Sequence, residues 1–440
     1  MVRLDGEADT TAFRAAGLAA VRAGRAAVVV LAGGQGTRLG STAPKGCFDI
    51  GLPSGVSLYG LLAARVLKLR ALAGGGGGGE GGGGGGGGPE GKPILAPLTL
   101  FVMTSAATHA ATVAHFAAAS NFGLGPDGVA FICQGELPVT GAPGTPAAGR
   151  ILLANPSTLA RAPDGNGGLY GALARSGALD RMERQGVTIV DVVCVDNALA
   201  SPADPTFLGA CLANPAFAVG CRALRRAGPA EKVGVFARDA AGGLRVLEYS
   251  ELSPADAAAT VEVEGERDAH EMRDEMRAEL KYGWANICMH AFSLAFLRSA
   301  AAADGFEGRA LYHAATKPVP AMAGPTPATK LELFIFDAFD AAPPGSVVVA
   351  AVARASAFAP VKAASGADTP AHARAAVLAR GGAWARAAGA SLATPSGGVE
   401  VAPARSLDGE GLAALCAGRT VVEEGDAALG GGWVGECVKE

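Results

Sequence analysis

The sequence predicts an α/β protein in which helices flank a mostly parallel sheet. Three short apolar runs end abruptly at glycine or polar residues, at 26–31, 98–103 and 187–195. Such runs are typical of strands buried on both faces. Ala- and Leu-rich stretches that fit helices lie around and between them, at 8–24, 57–73, 106–119 and 168–185. Strands that alternate with helices favour a parallel sheet.

The apolar content is sufficient for a large hydrophobic core, and the net charge gives no overall attraction to polyanions. Half of the 440 residues are apolar, and 37 Lys and Arg against 41 Asp and Glu give a formal net charge of −4. We therefore expect neither nucleic acid nor a membrane surface as a partner. A local basic pocket for a phosphorylated small molecule stays compatible with this charge.

The eight cysteines indicate a reducing compartment. None forms a CxxC pair or a Cys/His cluster with zinc spacing, and most lie in apolar runs. We interpret them as reduced core residues. The first residues lack the layout of a secretory signal, and no apolar stretch has the length of a membrane span. We expect a cytoplasmic protein that is a monomer or a weak homo-oligomer.

Changes in composition suggest how the chain is organised. We predict a short N-terminal helical arm at 1–25, a catalytic domain at 26–344 and a smaller C-terminal region at 345–440. The end of the chain is short, so an incomplete β domain there is kept open. The Gly-rich tract 74–91 predicts a flexible insertion. The charged stretch 255–279 predicts a second insertion, either a solvated helix or partly disordered chain.

The first motif follows the strand at 26–31 and points to phosphate binding. It reads Leu31-Ala32-Gly33-Gly34-Gln35-Gly36-Thr37-Arg38-Leu39-Gly40 and continues to Pro44-Lys45. Glycines let backbone N–H groups approach phosphate oxygens, and Arg38 and Lys45 add positive charge. The spacing matches neither a P-loop nor the Rossmann fingerprint. We predict that residues 31–37, together with Arg38 and Lys45, bind a nucleoside triphosphate.

Further candidates follow other strands, where ligands bind in open α/β sheets. Asp196 ends the strongest apolar run and suits a hard divalent cation, although a capping Asp is the plain alternative. Asn197 beside it fits a turn-supporting role. The segment 162–170, APDGNGGLY, can present amide groups to a base or sugar, or simply cap a helix. Taken alone, Tyr249 fits a core aromatic.

Together these residues resemble the sugar-1-phosphate nucleotidylyltransferases, whose signature is GGxGTRLGxxxPK. The fuller text LAGGQGTRLG…PKGCFDIGLPSGVSL is similar to the eukaryotic UDP-N-acetylglucosamine pyrophosphorylases. Matching blocks follow in order at 134–138, 162–170, 194–197, 246–251, 284–288, 330–332 and 358–362. The resemblance covers about residues 26–400. It implies a Rossmann-like, GT-A-like nucleotidyltransferase fold, with a mixed sheet flanked by helices and a small C-terminal β-containing region.

The resemblance also implies a reaction. UTP and N-acetylglucosamine 1-phosphate would give UDP-N-acetylglucosamine and pyrophosphate, by in-line attack of the sugar phosphate on the α-phosphorus. Mg²⁺ is the implied cofactor, with Mn²⁺ as an alternative.

The resemblance assigns roles to individual residues. Gln134, Gly165 and Lys330 would bind the nucleotide, and Lys362 the attacking phosphate. The residues implied to contact the sugar are Asn166, Glu248, Tyr249 and Asn286. Asp196 would be the metal ligand. The family usually has Asn directly after the residue that corresponds to Lys362, whereas this sequence has Ala363.

Two alternatives stay open. A UDP-sugar pyrophosphorylase of broader specificity would share the motifs but not the pocket around Asn166, Glu248, Tyr249 and Asn286. A non-catalytic nucleotide-sugar-binding regulator is kept open by the shortness of the chain before residue 31 and after about residue 400. N-acetylgalactosamine 1-phosphate is a further candidate acceptor, because the sequence does not show how the C4 hydroxyl is recognised.

Overall fold

The computed structural model describes residues 1–4, 10–75, 97–240, 242–264, 276–302, 305–306, 311–322, 324–394, 397–422, 428–429 and 438–439. Most of the predicted flexible insertion at 74–91, and Cys437, lie outside these ranges. In the described part of the chain, no helix combines the length and apolar character needed to cross a membrane.

The strands, in chain order, are β1 (Val2–Arg3), β2 (Ala26–Leu31), β3 (Leu100–Thr104), β4 (Val129–Cys133), β5 (Glu136–Pro138), β6 (Thr140–Gly141), β7 (Leu153–Asn155), β8 (Thr158–Leu159), β9 (Arg161–Pro163), β10 (Ile189–Cys194), β11 (Val219–Arg225), β12 (Gly234–Arg238), β13 (Leu244–Leu247), β14 (Thr260–Glu264), β15 (Met276–Leu280), β16 (Trp284–Ser293), β17 (His313–Ala321), β18 (Gly324–Glu332), β19 (Val347–Ala351), β20 (Ser391–Ala393), β21 (Glu400–Val401), β22 (Thr420–Val422), β23 (Ala428–Leu429) and β24 (Val438–Lys439).

The α-helices are α1 (Thr11–Arg22), α2 (Leu58–Gly74), α3 (His109–Ala118), α4 (Leu169–Arg175), α5 (Ala178–Arg184), α6 (Pro205–Leu212), α7 (Pro254–Ala258), α8 (Leu294–Ala301), α9 (Arg354–Ala357), α10 (Pro370–Ala387) and α11 (Ala413–Cys416). The predicted helices at 8–24, 57–73 and 106–119 are confirmed as α1, α2 and α3. The stretch 168–185 forms two helices, because Gly177 takes a left-handed φ of +69° between α4 and α5.

One large mixed sheet organises the molecule. Its order is β1-β19-β11-β16-β10-β2-β3-β4, and β12 pairs with both β16 and β13. The four neighbours β10, β2, β3 and β4 run parallel, whereas β16 is antiparallel to β10 and β11. The predicted mixed α/β sheet is therefore confirmed. The loops after β4, β2 and β10 leave the same edge.

The side chains of β2 show why this sheet is central. Val28 and Val30 face a core that also contains residues of α1, α2, α3 and α6. Val29 and Leu31 face a second core with residues of α4, α5 and α8. Alternate side chains of a strand point to opposite faces, so a continuous apolar run can fill both cores.

One of the two alternatives for the charged stretch 255–279 is wrong, because its described residues form a strand pair and not a solvated helix. The other alternative, partly disordered chain, stays a prediction. β14 and β15 form an antiparallel pair from Thr260↔Leu280 to Glu264↔Met276, and only the short α7 precedes it. Alternating charged and apolar residues, as in Thr260-Val261-Glu262-Val263-Glu264, suit a strand whose two faces differ. Residues 265–275 lie outside the described ranges.

The chain termini join the body of the fold. β19, which the sequence analysis assigns to the C-terminal region, pairs inside the large sheet with β11. β1 extends the sheet beyond β19, and α1 packs against α6. The smaller C-terminal part packs β21 and β20 against α10. Domain boundaries at 26 and 345 stay a prediction.

Buried arginines fasten α10 and α2 to the central body. Arg380 donates to the carbonyls of Leu199 and Ser356, both at 3.1 Å. Arg65 donates to the carbonyl of Ala200 at 2.7 Å. Arginines from two helices therefore donate hydrogen bonds to carbonyls of the loop after β10. These hydrogen bonds fix that loop behind the candidate site.

Candidate functional site

The glycine loop turns back on itself directly after β2. The amide of Lys45 donates to the Gly34 carbonyl at 3.1 Å, and the amide of Gly36 donates to the Ala43 carbonyl at 3.0 Å. Leu31 and Ala32 are buried in the sheet. Of the other predicted nucleotide-binding residues in this loop, Gly34, Gln35 and Thr37 are exposed, as is Arg38. The loop thus presents polar backbone and a cation at the sheet edge.

Gln134 and Gly165 lie beside the start of this loop. Gln134 is buried after β4, and its Nε2 donates to Asp164 Oδ1 at 3.1 Å and to the Gly165 carbonyl at 3.3 Å. A Cβ added to Gly33 would lie 2.1 Å from Gln134 Oε1. Glycine at position 33 therefore leaves room for the close approach of this amide. The structure brings three predicted nucleotide-binding residues together.

Gly165 is held in a conformation that favours glycine. Its φ is +90°, and a Cβ there would lie 2.5 Å from the Leu333 carbonyl. The predicted turn 162–170 thus packs directly on the chain that follows β18.

The two predicted sugar-binding asparagines meet at Cys288. Asn166 Nδ2 lies 3.5 Å from Cys288 Sγ, and its Oδ1 accepts from the Ile335 amide at 3.0 Å. Asn286 is buried, and its Oδ1 accepts from the Cys288 amide at 3.0 Å. The asparagine from the turn and the asparagine from β16 therefore share one wall of the site.

A β-bulge places Cys288 in that wall. Between the pairs Cys221↔His290 and Ala223↔Asn286, three residues of β16 lie opposite a single residue of β11. Cys288 lies in this bulge with a left-handed φ of +53°. Bulges re-aim side chains and are common beside active sites. The sequence analysis missed Cys288, because the residue order in β16 contains no signal for a bulge.

Asp196 and Lys45 form an ion pair at the carboxyl end of β10. Lys45 Nζ lies 3.1 Å from Asp196 Oδ2, and both side chains are partly buried. The Asp196 carbonyl accepts from the Val361 amide at 2.8 Å. The loop that contains Lys362 is therefore anchored on the same residue.

Lys362 is held next to the glycine loop. Its Nζ lies 3.0 Å from Asp368 Oδ2, and the amide of Ala364 donates to the Arg38 carbonyl at 3.0 Å. All three residues predicted to handle the phosphates, Arg38, Lys45 and Lys362, thus lie on adjoining segments.

Asn197 supports this arrangement without facing a ligand. Its Nδ2 donates to the Ala357 carbonyl at 2.7 Å, and its Oδ1 accepts from the Ala359 amide at 2.9 Å. The expected turn-supporting role is confirmed. The amide side chain fixes the chain that leads to Lys362 against the end of β10.

Glu248 directly follows β13. Burial, together with the charges of Cys288 and Glu251, raises the pKa of Glu248 to about 7, and His313 and Lys362 oppose this shift. The charges of Cys288 and Lys362 therefore both act on Glu248. Tyr249 is 47% exposed, so it lies at the rim and the plain reading as a core aromatic is wrong.

Lys330 lies on β18, opposite Ala315 of β17, and pairs with Glu332. Burial, followed by the charge of Lys330, lowers the pKa of Lys317, and Arg38 acts in the same direction. The hairpin therefore carries two lysines, Lys317 and Lys330, whose charges act on each other.

Sequence reasoning missed Lys317 because proline obscures its strand. Pro318 and Pro320 of β17 stand opposite Pro327 and Pro325 of β18. Proline lacks an N–H donor and argues against a strand. The available signal was the alternation of His313, Ala315 and Lys317, which a strand places on one face.

Comparisons with known proteins agree with this geometry. The sequence pattern of the UTP–glucose-1-phosphate uridylyltransferase family matches residues 18–266. The chain is 42% identical over 413 residues to UDP-N-acetylglucosamine diphosphorylase 2 of Arabidopsis thaliana, covering 92% of this chain and 75% of the relative. It is 34% identical over 407 residues to UDP-N-acetylglucosamine pyrophosphorylase of Saccharomyces cerevisiae, covering 90% of this chain and 77% of the relative.

A solved structure has the same fold. The uridine diphosphate N-acetylglucosamine pyrophosphorylase of Trypanosoma brucei, crystallised with an inhibitor, superposes with a TM-score of 0.76 at 29% sequence identity. The match covers 94% of this chain and 81% of that one.

Proposed function

The chain belongs to the UTP–glucose-1-phosphate uridylyltransferase family, and we propose that it transfers the uridylyl group of UTP to N-acetylglucosamine 1-phosphate. The observation that carries this proposal is the convergence of the glycine loop, Asp196 and Lys362 at one sheet edge. The Val361 amide on the Asp196 carbonyl and the Ala364 amide on the Arg38 carbonyl join the three segments. The products are UDP-N-acetylglucosamine and pyrophosphate.

The donor side would take UTP. Gln134 and Gly165 lie beside the glycine loop, which suits recognition of uracil by the Gln134 amide and by nearby backbone. Lys330, with Lys317 next to it, extends the cationic surface of Arg38 towards the triphosphate. Phosphates of UTP and the protein cations attract each other strongly where water is partly excluded.

The acceptor side would hold the sugar phosphate for in-line attack. Lys362 neutralises the attacking phosphate, so two multiply charged anions can approach each other. A phosphate oxygen of the sugar forms the new bond to the α-phosphorus, and the bond to the pyrophosphate oxygen breaks. Asn166, Asn286 and Glu248 would hydrogen-bond the sugar, and Tyr249 would cover it from the rim. No covalent intermediate with the protein is required.

Mg²⁺, or Mn²⁺ in its place, is the proposed cofactor. The donor set fits such an ion, because Asp196 is a partly exposed carboxylate at the sheet edge, beside the phosphate-binding loop. Mg²⁺ is commonly held by one or two carboxylates together with phosphate oxygens and waters. When bound, it would neutralise charge on the phosphates. Lys45 is paired with the same carboxylate and would turn towards the triphosphate.

We also propose the cytoplasm as the compartment and a monomer or weak homo-oligomer as the working state. The seven described cysteines are all free thiols, which is the state that a reducing compartment maintains. Localisation of a tagged chain tests the first statement, and light scattering of the purified protein tests the second.

The direct test is pyrophosphate release from UTP and Mg²⁺ with the 1-phosphates of N-acetylglucosamine, N-acetylgalactosamine and glucose. We expect rapid release with N-acetylglucosamine 1-phosphate and little with glucose 1-phosphate. Equal or faster release with glucose 1-phosphate would identify a broader UDP-sugar pyrophosphorylase. No release with any sugar, from folded protein that binds UTP, would contradict the proposal. The Lys45→Ala variant provides the matched inactive control.

A further inference from the structure

His313 joins two acidic residues from different segments. Its Nδ1 lies 3.2 Å from Glu251 Oε1, and its Nε2 lies 2.9 Å from Asp337 Oδ2. The imidazole also stacks on Phe334, with ring centroids 4.1 Å apart and an interplanar angle of 27°. Both ring nitrogens and one ring face are thus occupied, which holds the side chain in a single orientation.

One of these contacts leads to Glu248. The second oxygen of Glu251, Oε2, accepts from the Glu248 amide at 2.9 Å, and the Glu251 amide donates to the Glu248 carbonyl at 2.9 Å. Glu251 therefore closes the turn that presents Glu248. His313 holds the other end of the same carboxylate.

The other contacts lead to Asn166. Phe334 and Asp337 flank Ile335, whose amide donates to Asn166 Oδ1 at 3.0 Å. The Asp337 amide donates to the Phe334 carbonyl at 3.2 Å, so the segment 334–337 forms one closed turn. By stacking on Phe334 and pairing with Asp337, His313 fixes the turn that orients Asn166.

The strand that contains His313 also reaches the donor side. His313 is opposite Glu332 in the β17–β18 pair, and Glu332 is the ion-pair partner of Lys330. The hairpin is therefore fastened at its base to both segments that present sugar-binding side chains.

We propose that His313 is a positioning residue for the acceptor sugar: through Glu251 and the 334–337 turn it sets the distance between Glu248 and Asn166. The inference rests on the proposed function, because it assumes that these two side chains bind the sugar. His313 itself contacts neither substrate. Its loss widens the acceptor pocket and leaves the UTP-binding loop in place.

The test compares His313→Ala, His313→Gln, Glu251→Ala and the double variant His313→Ala/Glu251→Ala. We expect His313→Ala to raise KM for N-acetylglucosamine 1-phosphate about tenfold, the order expected when a hydrogen bond to a charged group is lost. KM for UTP and kcat should change less than threefold. His313→Gln retains amide donors and should recover part of the loss. The double variant should be little worse than either single variant, because both changes break the same connection.

Thr316→Ala is the matched control, since alternation along β17 directs Thr316 to the opposite face. An unchanged KM for the sugar phosphate in His313→Ala, or strictly additive effects in the double variant, would overturn the proposal. Equal rises in both KM values together with a lower melting temperature would show a merely structural role and would also overturn it.

Calorimetry separates this inference from the proposed function. UDP-N-acetylglucosamine should bind His313→Ala about tenfold more weakly than wild type, whereas UTP should bind both alike. A wild-type protein that releases no pyrophosphate would contradict the proposed function alone. A wild-type protein that turns over, with equal binding of the sugar nucleotide by both proteins, would contradict the role of His313 alone.

Discussion

Lys45 Nζ lies 3.1 Å from Asp196 Oδ2, so the cation that follows the glycine loop is held against the carboxylate that ends β10. Lys45 and Asp196 are 151 positions apart in the chain, and the parallel pairing of β2 with β10 brings them together. Each side chain keeps the other ordered before substrates arrive. Binding of UTP then exchanges one anionic partner of Lys45 for another.

Lys45→Ala should lower kcat/KM for uridylyl transfer by about 100- to 1,000-fold, the usual loss when one charge-stabilising donor is removed. The melting temperature should change little, because the pair is partly exposed. Steady-state pyrophosphate release measures the first effect and thermal unfolding the second. Lys68→Ala, which breaks the 3.7 Å ion pair with Glu410 away from the site, is the control and should keep normal activity. A Lys45→Ala enzyme with near-normal kcat/KM would contradict the assignment.

Asp196→Asn should raise the Mg²⁺ concentration needed for half-maximal rate by at least about tenfold. The amide keeps the shape of the side chain but loses the negative charge that a divalent cation prefers. A titration of rate against Mg²⁺ at saturating UTP provides the measurement. The control is Asp368→Asn, which changes a carboxylate bound to Lys362. If both variants shifted the Mg²⁺ titration equally, Asp196 would not be the ligand.

Much of the fold could be predicted because apolar runs report burial directly. The residues of β2 are so uniformly apolar that only a strand covered on both faces accommodates them, and β10 departs from this pattern only at Asp191. The glycine loop could be predicted equally well, since glycine permits a close approach such as that between Gly33 and the Gln134 side chain. These are local signals.

Other parts depend on contacts between distant residues. The bulge that turns Cys288 towards Asn166 arises from how β16 pairs with β11, and the residue order does not encode that register on its own. Likewise, β14 and β15 become strands by pairing with each other, and their charged sequence is equally compatible with a helix. Tertiary pairing decided both cases.

Lys362→Ala should raise KM for the sugar phosphate and lower kcat/KM for it by about 100-fold or more, with UTP binding unchanged. The reason is that the charge of Lys362 acts on Glu248, a proposed sugar-binding residue, whereas Arg38 and Lys45 are proposed to bind the donor. Calorimetry measures UTP binding, and initial rates at varied sugar phosphate concentration give KM and kcat/KM. Lys362→Arg keeps the charge and should retain more activity than the alanine variant. Weaker UTP binding in Lys362→Ala would place this lysine on the donor side.

Glu248 should make acceptor binding depend on pH near neutrality. Burial raises the pKa of Glu248 to about 7, so the carboxylate form, which accepts hydrogen bonds from sugar hydroxyls most strongly, grows as pH rises from about 6 to about 8. KM for the sugar phosphate should fall over this range. Glu248→Gln should have a higher KM and should lose that part of the pH dependence. The pH dependence of KM that remains in this variant measures the contribution of the second ionisation of the substrate phosphate, near pH 6.

The buried pair of Arg222 and Asp191 should matter for stability rather than for catalysis. Arg222 Nη2 lies 3.1 Å from Asp191 Oδ1, both side chains are almost fully buried, and the guanidinium stacks over Phe207 at 4.3 Å. Removing one partner leaves an uncompensated buried charge, so Arg222→Ala should lower the free energy of unfolding by about 3–5 kcal/mol. Urea denaturation measures this change. Arg298→Ala, which breaks exposed ion pairs with Asp180 and Glu183, should have little effect.

The pH dependence of the stability lost in Arg222→Ala identifies the cause of that loss. Burial raises the pKa of Asp191, and Arg222 opposes the shift, so the alanine variant should raise that pKa further. A carboxyl group whose pKa is higher in the folded than in the unfolded state costs stability as pH rises. The destabilisation by Arg222→Ala should therefore be smaller near pH 5 than near pH 8. A loss that is equal at both pH values would indicate lost packing on Phe207 instead of an unpaired charge at Asp191.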